Sequence, residues 1–229
     1  MSLLPYISQH SLSLLTDFYQ LTMAYGYWKS QWHTRRSVFH YFFRKKPFQG
    51  EYAVTAGLES LVHFLEKMQF TQADLDYLEG LKNVKGNSYF DSAFLQFLAT
   101  FRFRGDVWAI KEGTVVFPYE PLIRVEATLI ECQLIETILL NLMNFPTLIA
   151  TKAARICHAA GTDPVLEFGL RRAQGIDGAM SASRAAFIGG CSATSNVLAG
   201  KMFGIPVQGT HAHSWIMAIG IDISIIFIF

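Results

Sequence analysis

Two histidines separated by a single residue, His211 and His213, lie in the segment VQGTHAHSW (207–215), directly after a short apolar run. Alternation along an extended segment would place both imidazoles on one side of the chain, with Ala212 opposite. Such a pair can bind a divalent metal ion. Alternatively, one imidazole can act as a nucleophile or phosphoryl acceptor while the other orients it. A third interpretation is one structural histidine bonded to the backbone and one exposed histidine. The spacing alone leaves all three open.

Polar residues also follow two other short apolar runs. Arg171 and Arg172 come three and four residues after Phe168, and guanidinium groups match the paired oxygens of a carboxylate or phosphate. The alternative is an exposed pair on the first turn of a helix. The segment GGCSATSN (189–196) combines backbone amides, hydroxyls and the start of a helix. These groups can form a phosphate cradle, or they can form an ordinary turn.

The apolar runs that precede these polar segments predict a parallel sheet. Strands are predicted at PVLEF (164–168), AFIGG (186–190) and IPVQGT (205–210), with a loop and a helix between successive strands. This order is typical of parallel α/β architecture, in which ligands lie at the carboxyl ends of the strands. We therefore expect the arginine pair, residues 192–196 and residues 211–214 to converge at one edge of the sheet.

The first 162 residues mix helices and short strands. Apolar periodicity predicts helices over 14–31, 57–68 and 71–81, a strand over 37–44 and a group of short strands between Arg104 and Ala127. Thr71 with Asp74, and Thr128 with Glu131, have the spacing of capping boxes at helix starts. The apolar helix after Thr128 is expected to be deeply packed. Pro146 is expected to begin a second helix, which Gly161 would end.

Composition and charge exclude several classes of protein. Half of the 229 residues are hydrophobic, 16% are charged, and the net charge is about +1. No concentrated basic patch points to a nucleic acid or a membrane surface as a partner. The three cysteines (Cys132, Cys157 and Cys191) are scattered without a CxxC motif, which predicts a reducing compartment without disulfides or a cysteine zinc site.

The termini of the chain predict a cytoplasmic protein. The N-terminal segment MSLLPYISQHSLSLL lacks a basic region followed by an apolar core, so no signal peptide is expected. No run reaches the ~18 apolar residues of a membrane-spanning helix. The nearest is the tail SWIMAIGIDISIIFIF, which is shorter and carries Asp222.

Three motifs, taken in order, resemble the nicotinate phosphoribosyltransferase family. They are LLTDFYQLTMAYGYW, LEFGLRRAQGIDGAMSASRAAFIGG and TSNVLAGKMFGIPVQGTHAHSW, and the resemblance runs from about Leu14 to Ala218. It implies an α/β fold: a mixed α/β N-terminal domain (1–127), connecting helices (128–162) and the first, incomplete part of an irregular parallel β/α barrel (163–229). It also implies an active homodimer.

The resemblance further implies an activity. The family joins nicotinate to phosphoribosyl pyrophosphate, giving nicotinate mononucleotide and pyrophosphate in NAD salvage. ATP hydrolysis is coupled through a phosphohistidine, and Mg²⁺ assists with the phosphates. By motif, His213 corresponds to the phosphohistidine, and Tyr19 and Thr210 would line the nicotinate pocket, Tyr19 reaching the site of a neighbouring subunit. Phe168 would face the pyridine ring and Arg171 would contact anionic oxygens.

Arg172, His211 and Ser214 are candidate supporting residues, and no metal ligand is assigned. Without the resemblance, Tyr19 and Phe168 would be read as ordinary core aromatics.

The sequence departs from the family pattern at two places. Cys191 and Ser192 stand where an aromatic residue and then an acidic residue are expected. After Ala218 the composition changes to IGIDISIIFIF, which suggests a frameshift or a premature stop. Two alternatives to the enzyme therefore stay open: an inactive remnant or partner-binding fragment, and a metal-dependent hydrolase using His211 and His213.

Overall fold

A computed structural model describes residues 11–219, and within them helices outnumber strands. The helices are α1 (Phe18–Lys29), α2 (Leu58–Lys67), α3 (Gln72–Gly80), α4 (Ser92–Thr100), α5 (Leu129–Ala160), α6 (Gly175–Ile188), α7 (Val197–Phe203) and α8 (His213–Ile219). The strands are β1 (Arg36–Tyr41), β2 (Ala53–Val54), β3 (Asp106–Ala109), β4 (Val115–Val116), β5 (Ile123–Thr128), β6 (Leu166–Glu167) and β7 (Ala193–Thr194). The predicted α/β class is confirmed. Residues 220–229 of the apolar tail lie outside the described residues.

The N-terminal part is built on a three-stranded antiparallel sheet in the order β1–β5–β3. Arg36 lies opposite Thr128, and Asp106 lies opposite Glu126. Alternate residues of β5 are buried, as expected of a strand with one face on a core. A second antiparallel pair joins β2 to β4.

Helices α1 to α4 supply much of the N-terminal hydrophobic core. The capping box that Thr71 and Asp74 predict is present at the start of α3. Helix α4 is not among the predicted elements. Its N-cap is Asp91, which accepts a hydrogen bond from the Phe94 amide at 2.9 Å, and its buried residues Phe94 and Leu98 lie four apart, the spacing of one helical face. This apolar periodicity is the signal that would have located the helix.

Helix α5 runs without interruption through Pro146, so the prediction of two helices is wrong. The capping box of Thr128 and Glu131 is present at its start. Pro146 cannot donate to the carbonyl of Leu142. Gly57 approaches that same carbonyl so closely that a Cβ there would lie 2.0 Å from the oxygen. Gly57 therefore packs closely against this turn of α5 without donating to it, since its own amide donates to Glu112 at 2.6 Å.

The length of α5 makes it the scaffold of the molecule. Its 32 residues extend about 48 Å, and it packs against α1, α2, α6 and β2. Thr147 and Thr151 accept hydrogen bonds from the buried amides of Ala56 and Val54 at 3.2 and 2.8 Å.

By length and composition alone, α5 is also long and apolar enough to cross a membrane, although no such segment is predicted from the sequence. Half of its most apolar 18-residue window is buried in the fold.

The C-terminal part contains parallel pairing, but two predicted strands are wrong in place or extent. Residues 186–190 form the end of α6 and a turn, and the second strand is β7. The helix extends this far because Ala185 and Ala186 are buried on the side of α6 that packs against α5. A Cβ at Gly189 would lie 2.4 Å from the Ala150 carbonyl oxygen, so glycine permits this close packing. In place of a third strand over 205–210, one parallel bridge joins Val207 to Thr194.

Candidate functional site

Backbone hydrogen bonds bring the ends of three extended segments together: β6, β7 and the segment at Val207. We call the place where these ends meet the parallel edge. The Ser195 amide donates to the Glu167 carbonyl at 2.9 Å, and the Gln208 amide donates to the Thr194 carbonyl at 3.1 Å. Because this pairing is parallel, the residues that follow each segment leave the sheet on the same side.

Glu167 is the centre of a polar network beneath this edge, and sequence reasoning did not select it. Its Oε2 accepts hydrogen bonds from Thr194 Oγ1 at 2.6 Å and from Ser183 Oγ at 3.0 Å. Its Oε1 accepts one from the Gly169 amide. The network ties β6 to β7 and α6, and so fixes the backbone on both sides of Phe168. The sequence feature that could have identified Glu167 is a single carboxylate inside an otherwise apolar run. Such a group needs hydrogen-bond donors when it is removed from water.

The loop over residues 192–196 uses its own polar groups internally. The amides of Ser192, Thr194 and Asn196 donate to the Val165 carbonyl, the Pro206 carbonyl and Thr194 Oγ1 at 2.8, 3.0 and 3.0 Å. The Asn196 side chain caps α7 by accepting from the Ala199 amide at 3.2 Å. These satisfied amides favour the turn interpretation of GGCSATSN over a preformed phosphate cradle.

The residues after β6 are open to solvent. Phe168 is 41% exposed. Arg171 and Arg172 lie on a short 3₁₀ helix, Leu170–Arg172, and are also exposed. Within residues 11–219, no carboxylate forms an ion pair with either guanidinium group. Both arginines can therefore receive an anionic ligand, and the half-exposed ring of Phe168 offers a face for a flat molecule.

The two histidines do not lie on one side of an extended strand, so that prediction is wrong. His213 is the first residue of α8, and helical rotation replaces the alternation of a strand. His211 precedes α8, and its ring lies 5.8 Å from that of Trp215 in the first turn of the helix. Thr210, both histidines and Ser214 are all exposed.

Tyr19 lies on the N-terminal part of the fold, far from Phe168. It is 52% exposed near the start of α1, and its hydroxyl accepts a hydrogen bond from Gln20 Nε2 at 2.9 Å. The start of α1 is bound to α5 by Thr137, whose hydroxyl donates to Asp17 at 3.2 Å. The hydrophobic cluster beside β6 and β7 contacts α5 at Ala153. Sixteen residues of helix, about 24 Å, separate the two contacts, so this fold does not bring Tyr19 to Phe168 within one chain.

An ion-pair network holds α6 against the N-terminal part. Arg184 donates to both oxygens of Glu112 at 2.9 and 2.8 Å, and it also pairs with Glu59. Burial alone would raise the pKa of Glu112, but the bonds and charge of Arg184 and the Gly57 amide outweigh it and hold that pKa below its ordinary value. Ser183, the neighbour of Arg184, bonds to Glu167. Helix α6 is thus fixed on two sides.

Metal-binding groups are not concentrated in residues 11–219. No three histidine, cysteine, aspartate or glutamate side chains there could together hold a metal ion.

Comparisons with known proteins agree with the motif resemblance. A sequence profile described as the nicotinate phosphoribosyltransferase (NAPRTase) N-terminal domain matches residues 14–144. The chain is 51% identical over 208 residues to the nicotinate phosphoribosyltransferase of Bacillus subtilis (strain 168), covering 91% of this chain and 41% of that protein. It is also 51% identical over 205 residues to the nicotinate phosphoribosyltransferase of Caenorhabditis elegans, covering 89% and 36%.

Solved structures show that the fold is shared. The human nicotinic acid phosphoribosyltransferase superposes with a TM-score of 0.80 at 41% identity, covering 89% of this chain and 40% of that one. A nicotinate-nucleotide pyrophosphorylase from Pyrococcus furiosus superposes with a TM-score of 0.69 at 27% identity, covering 93% and 46%. The fold and the parallel edge therefore define an α/β protein of the phosphoribosyltransferase type. More narrowly, the chain belongs to the nicotinate phosphoribosyltransferase family. It spans about two fifths of the length of these relatives.

Proposed function

We propose that this protein acts as a nicotinate phosphoribosyltransferase, joining nicotinate to phosphoribosyl pyrophosphate with release of pyrophosphate. The observation that carries the proposal is the parallel edge organised by Glu167, in a chain 51% identical to named members of the family. The proposal includes a cytoplasmic homodimer and ATP hydrolysis coupled through phosphorylation of His213.

The residues at the edge have side chains suited to these substrates. The exposed ring of Phe168 would stack on the pyridine ring. Arg171, supported by Arg172, would bind the carboxylate of nicotinate or a phosphate through paired hydrogen bonds. Thr210 would line the pocket, and Tyr19 would do so in the site of a second subunit. The long separation of Tyr19 from Phe168 supports this contribution from a partner.

Loss of pyrophosphate leaves positive charge on the ribose ring in the transition state. Catalysis then depends on holding the nicotinate nitrogen against the anomeric carbon and on neutralising the leaving phosphates, without a covalent sugar intermediate. A phosphoryl group on His213 would add negative charge and three acceptor oxygens at the edge. His213 is exposed at the start of α8, so ATP can reach its imidazole.

Mg²⁺ enters this proposal through the substrates. Glu167 already accepts from three donors, so it fits a positioning role better than a metal-binding one. The phosphates of ATP and phosphoribosyl pyrophosphate would supply oxygen ligands, as is usual for Mg²⁺ at phosphate-handling sites. When bound, the ion would neutralise phosphate charge, while the arginines orient the anions.

The test is formation of nicotinate mononucleotide by the 229-residue chain with nicotinate, phosphoribosyl pyrophosphate and Mg-ATP, separated by liquid chromatography. In parallel, the chain is incubated with ATP that carries ³²P in its γ-phosphate. Acid-labile radioactivity on the protein then reports phosphohistidine. We expect product and label with the original chain and with His158→Ala, a control at another exposed histidine. His213→Ala should lose the label and the stimulation by ATP.

Equal labelling of His213→Ala would refute the role of that residue. Absence of both product and label from the original chain would refute the proposed activity and favour the inactive-remnant alternative. Stoichiometric zinc in the purified chain would instead favour the hydrolase alternative.

A further inference from the structure

A positively charged cleft lies on the N-terminal part, away from the parallel edge. It has a volume of about 450 Å³ and lies between the end of α4, the segment 101–104, the start of β1 and the start of α5. Arg36, Arg102 and Arg104 line it together with His33. We call it the arginine cleft. We propose that the arginine cleft binds a small phosphate monoester that carries a flat ring, such as a nucleoside monophosphate.

The sequence FRFRG (101–105) places two of these arginines side by side. Phe101 is buried and Phe103 packs against the core, while Arg102 and Arg104 are exposed. Alternation along an extended segment puts both guanidinium groups on the solvent side. Each phenylalanine anchors the backbone, so the two cations are held near one another.

The guanidinium groups differ in how far they are already engaged. Arg102 is oriented by the Phe101 carbonyl at 2.6 Å and by Gln69 at 3.1 Å. Arg36 makes a 3.5 Å contact with Glu126 and is 57% exposed. The guanidinium of Arg104 has neither a hydrogen bond nor an ion pair within residues 11–219. Arg104 is therefore the group best able to meet an incoming phosphate with its full set of donors.

The cleft wall also contains one carboxylate, Glu131, which three guanidinium groups outnumber. Glu131 is 7% exposed. Its oxygens accept from the Thr128 amide at 2.9 Å, the Thr128 hydroxyl at 2.6 Å and the Arg104 amide at 2.7 Å. Glu131 and Thr128 also form the capping box of α5, so this carboxylate is held by the cap and by the Arg104 amide. Recognition of an anion then depends on the guanidinium groups.

One side of the cleft suits a ring. The imidazole of His33 meets Phe97 edge to face, with centroids 5.6 Å apart, and His33 Nδ1 is buried without a hydrogen-bond partner in the described part of the chain. The volume exceeds what an inorganic phosphate fills, and it lies within the usual range for small-molecule pockets. A flat ring against Phe97 with its phosphate among the arginines would use both halves of the cleft.

The test is an NMR titration of the ¹⁵N-labelled 229-residue chain with phenyl phosphate as the probe. We expect saturable shifts of amides in residues 33–36 and 97–104, with weaker binding of inorganic phosphate and of phenol. Arg104→Ala should weaken phenyl phosphate binding at least tenfold, and Arg104→Lys, which keeps the charge but loses the planar fork, should weaken it less. Lys85→Ala removes one positive charge from an exposed turn and should leave the affinity unchanged.

Saturable shifts confined to residues 168–171, or an affinity that Arg104→Ala does not change, would overturn the proposal. An absence of any saturable shift would overturn it as well. If Arg104→Ala lowers the melting temperature, the Arg104→Lys series and the map of shifts in the original chain still decide the matter. The titration needs neither nicotinate nor turnover, so its outcome is independent of the proposed activity.

Discussion

Replacement of Arg184 by methionine is expected to lower the free energy of unfolding by about 2–3 kcal/mol. Arg184 and Glu112 are 16% and 18% exposed and are joined by a 2.8 Å contact. Loss of one partner from a fully buried pair costs roughly 3–5 kcal/mol, and from an exposed pair at most about 1 kcal/mol. Because this pair is largely but not fully buried, its expected cost lies between these limits and just below the buried range. Methionine keeps most of the aliphatic stem, so the loss reports mainly on charge and hydrogen bonds.

Urea unfolding followed by circular dichroism at neutral pH measures this loss. The melting temperature should fall by roughly 5–10 °C. Lys46→Met is the control, since Lys46 pairs with Glu51 at the surface, where the two side chains are 50% and 74% exposed. The control should cost less than about 1 kcal/mol. Equal costs for the two variants would refute the reasoning that burial makes the Arg184 network strong.

The same pair gives a pH dependence of defined sign. The pKa of Glu112 lies below its ordinary value, because Arg184 and the Gly57 amide outweigh the effect of burial. The ionised Glu112 carboxylate therefore contributes fully to the free energy of unfolding above about pH 4.3, the ordinary glutamate pKa. This contribution is lost as the pH falls through the lower pKa of Glu112 in the folded state. The difference in stability between the original chain and Arg184→Met should narrow below about pH 4. A difference that stays constant down to pH 3 would contradict this assignment.

Two further substitutions test the packing. Gly57→Ala should lower the free energy of unfolding by about 3 kcal/mol or more, because φ is +108° and the new Cβ would lie 2.0 Å from the Leu142 oxygen. The control is Gly86→Ala. Gly86 has φ +80° but open space around it, so this change should lower the free energy of unfolding by about 1 kcal/mol. Thr194→Val should lower the free energy of unfolding by about 2 kcal/mol, because the partly buried Glu167 carboxylate and the buried Asn196 amide each lose a partner. The control Thr100→Val, at an exposed position of α4, should change it by less than about 0.5 kcal/mol. Urea unfolding measures the free energy of unfolding of each variant and its control. An equal loss in a variant and its control would contradict the stated role of Gly57 or Thr194.

Local chemistry in the sequence predicted the elements that local chemistry controls. The capping boxes at Thr71 and Thr128 mark the starts of α3 and α5, because a side chain three residues away completes each cap. Alternating residues predicted the region of β5. Three motifs in order were sufficient to indicate the family, since their residue types and spacing together are unusual.

The predictions that were wrong depend on packing between distant segments. Pro146 indicates a helix boundary when only its missing amide is considered, but Pro146 is buried and the packing of α5 against α1, α2, α6 and β2 keeps the helix continuous. Residues 186–190 have the apolar composition of a strand, yet contacts with α5 keep residues 186–188 in α6. In both cases a partner remote in sequence supplies the deciding contact.

The sequence by itself determined the class of fold, the family and the candidate residues, from His213 to Arg171, because these depend on residue type and order. Only the tertiary structure decided which candidates meet. It joined the ends of β6, β7 and the segment at Val207 through parallel backbone bonds, and it separated Tyr19 from them by the length of α5. It also revealed Glu167, which accepts from the nearby Gly169 amide and from two hydroxyls, Ser183 and Thr194, that folding brings from elsewhere in the chain. A partly buried carboxylate is stabilised by such donors, and only folding can bring the two remote hydroxyls to it.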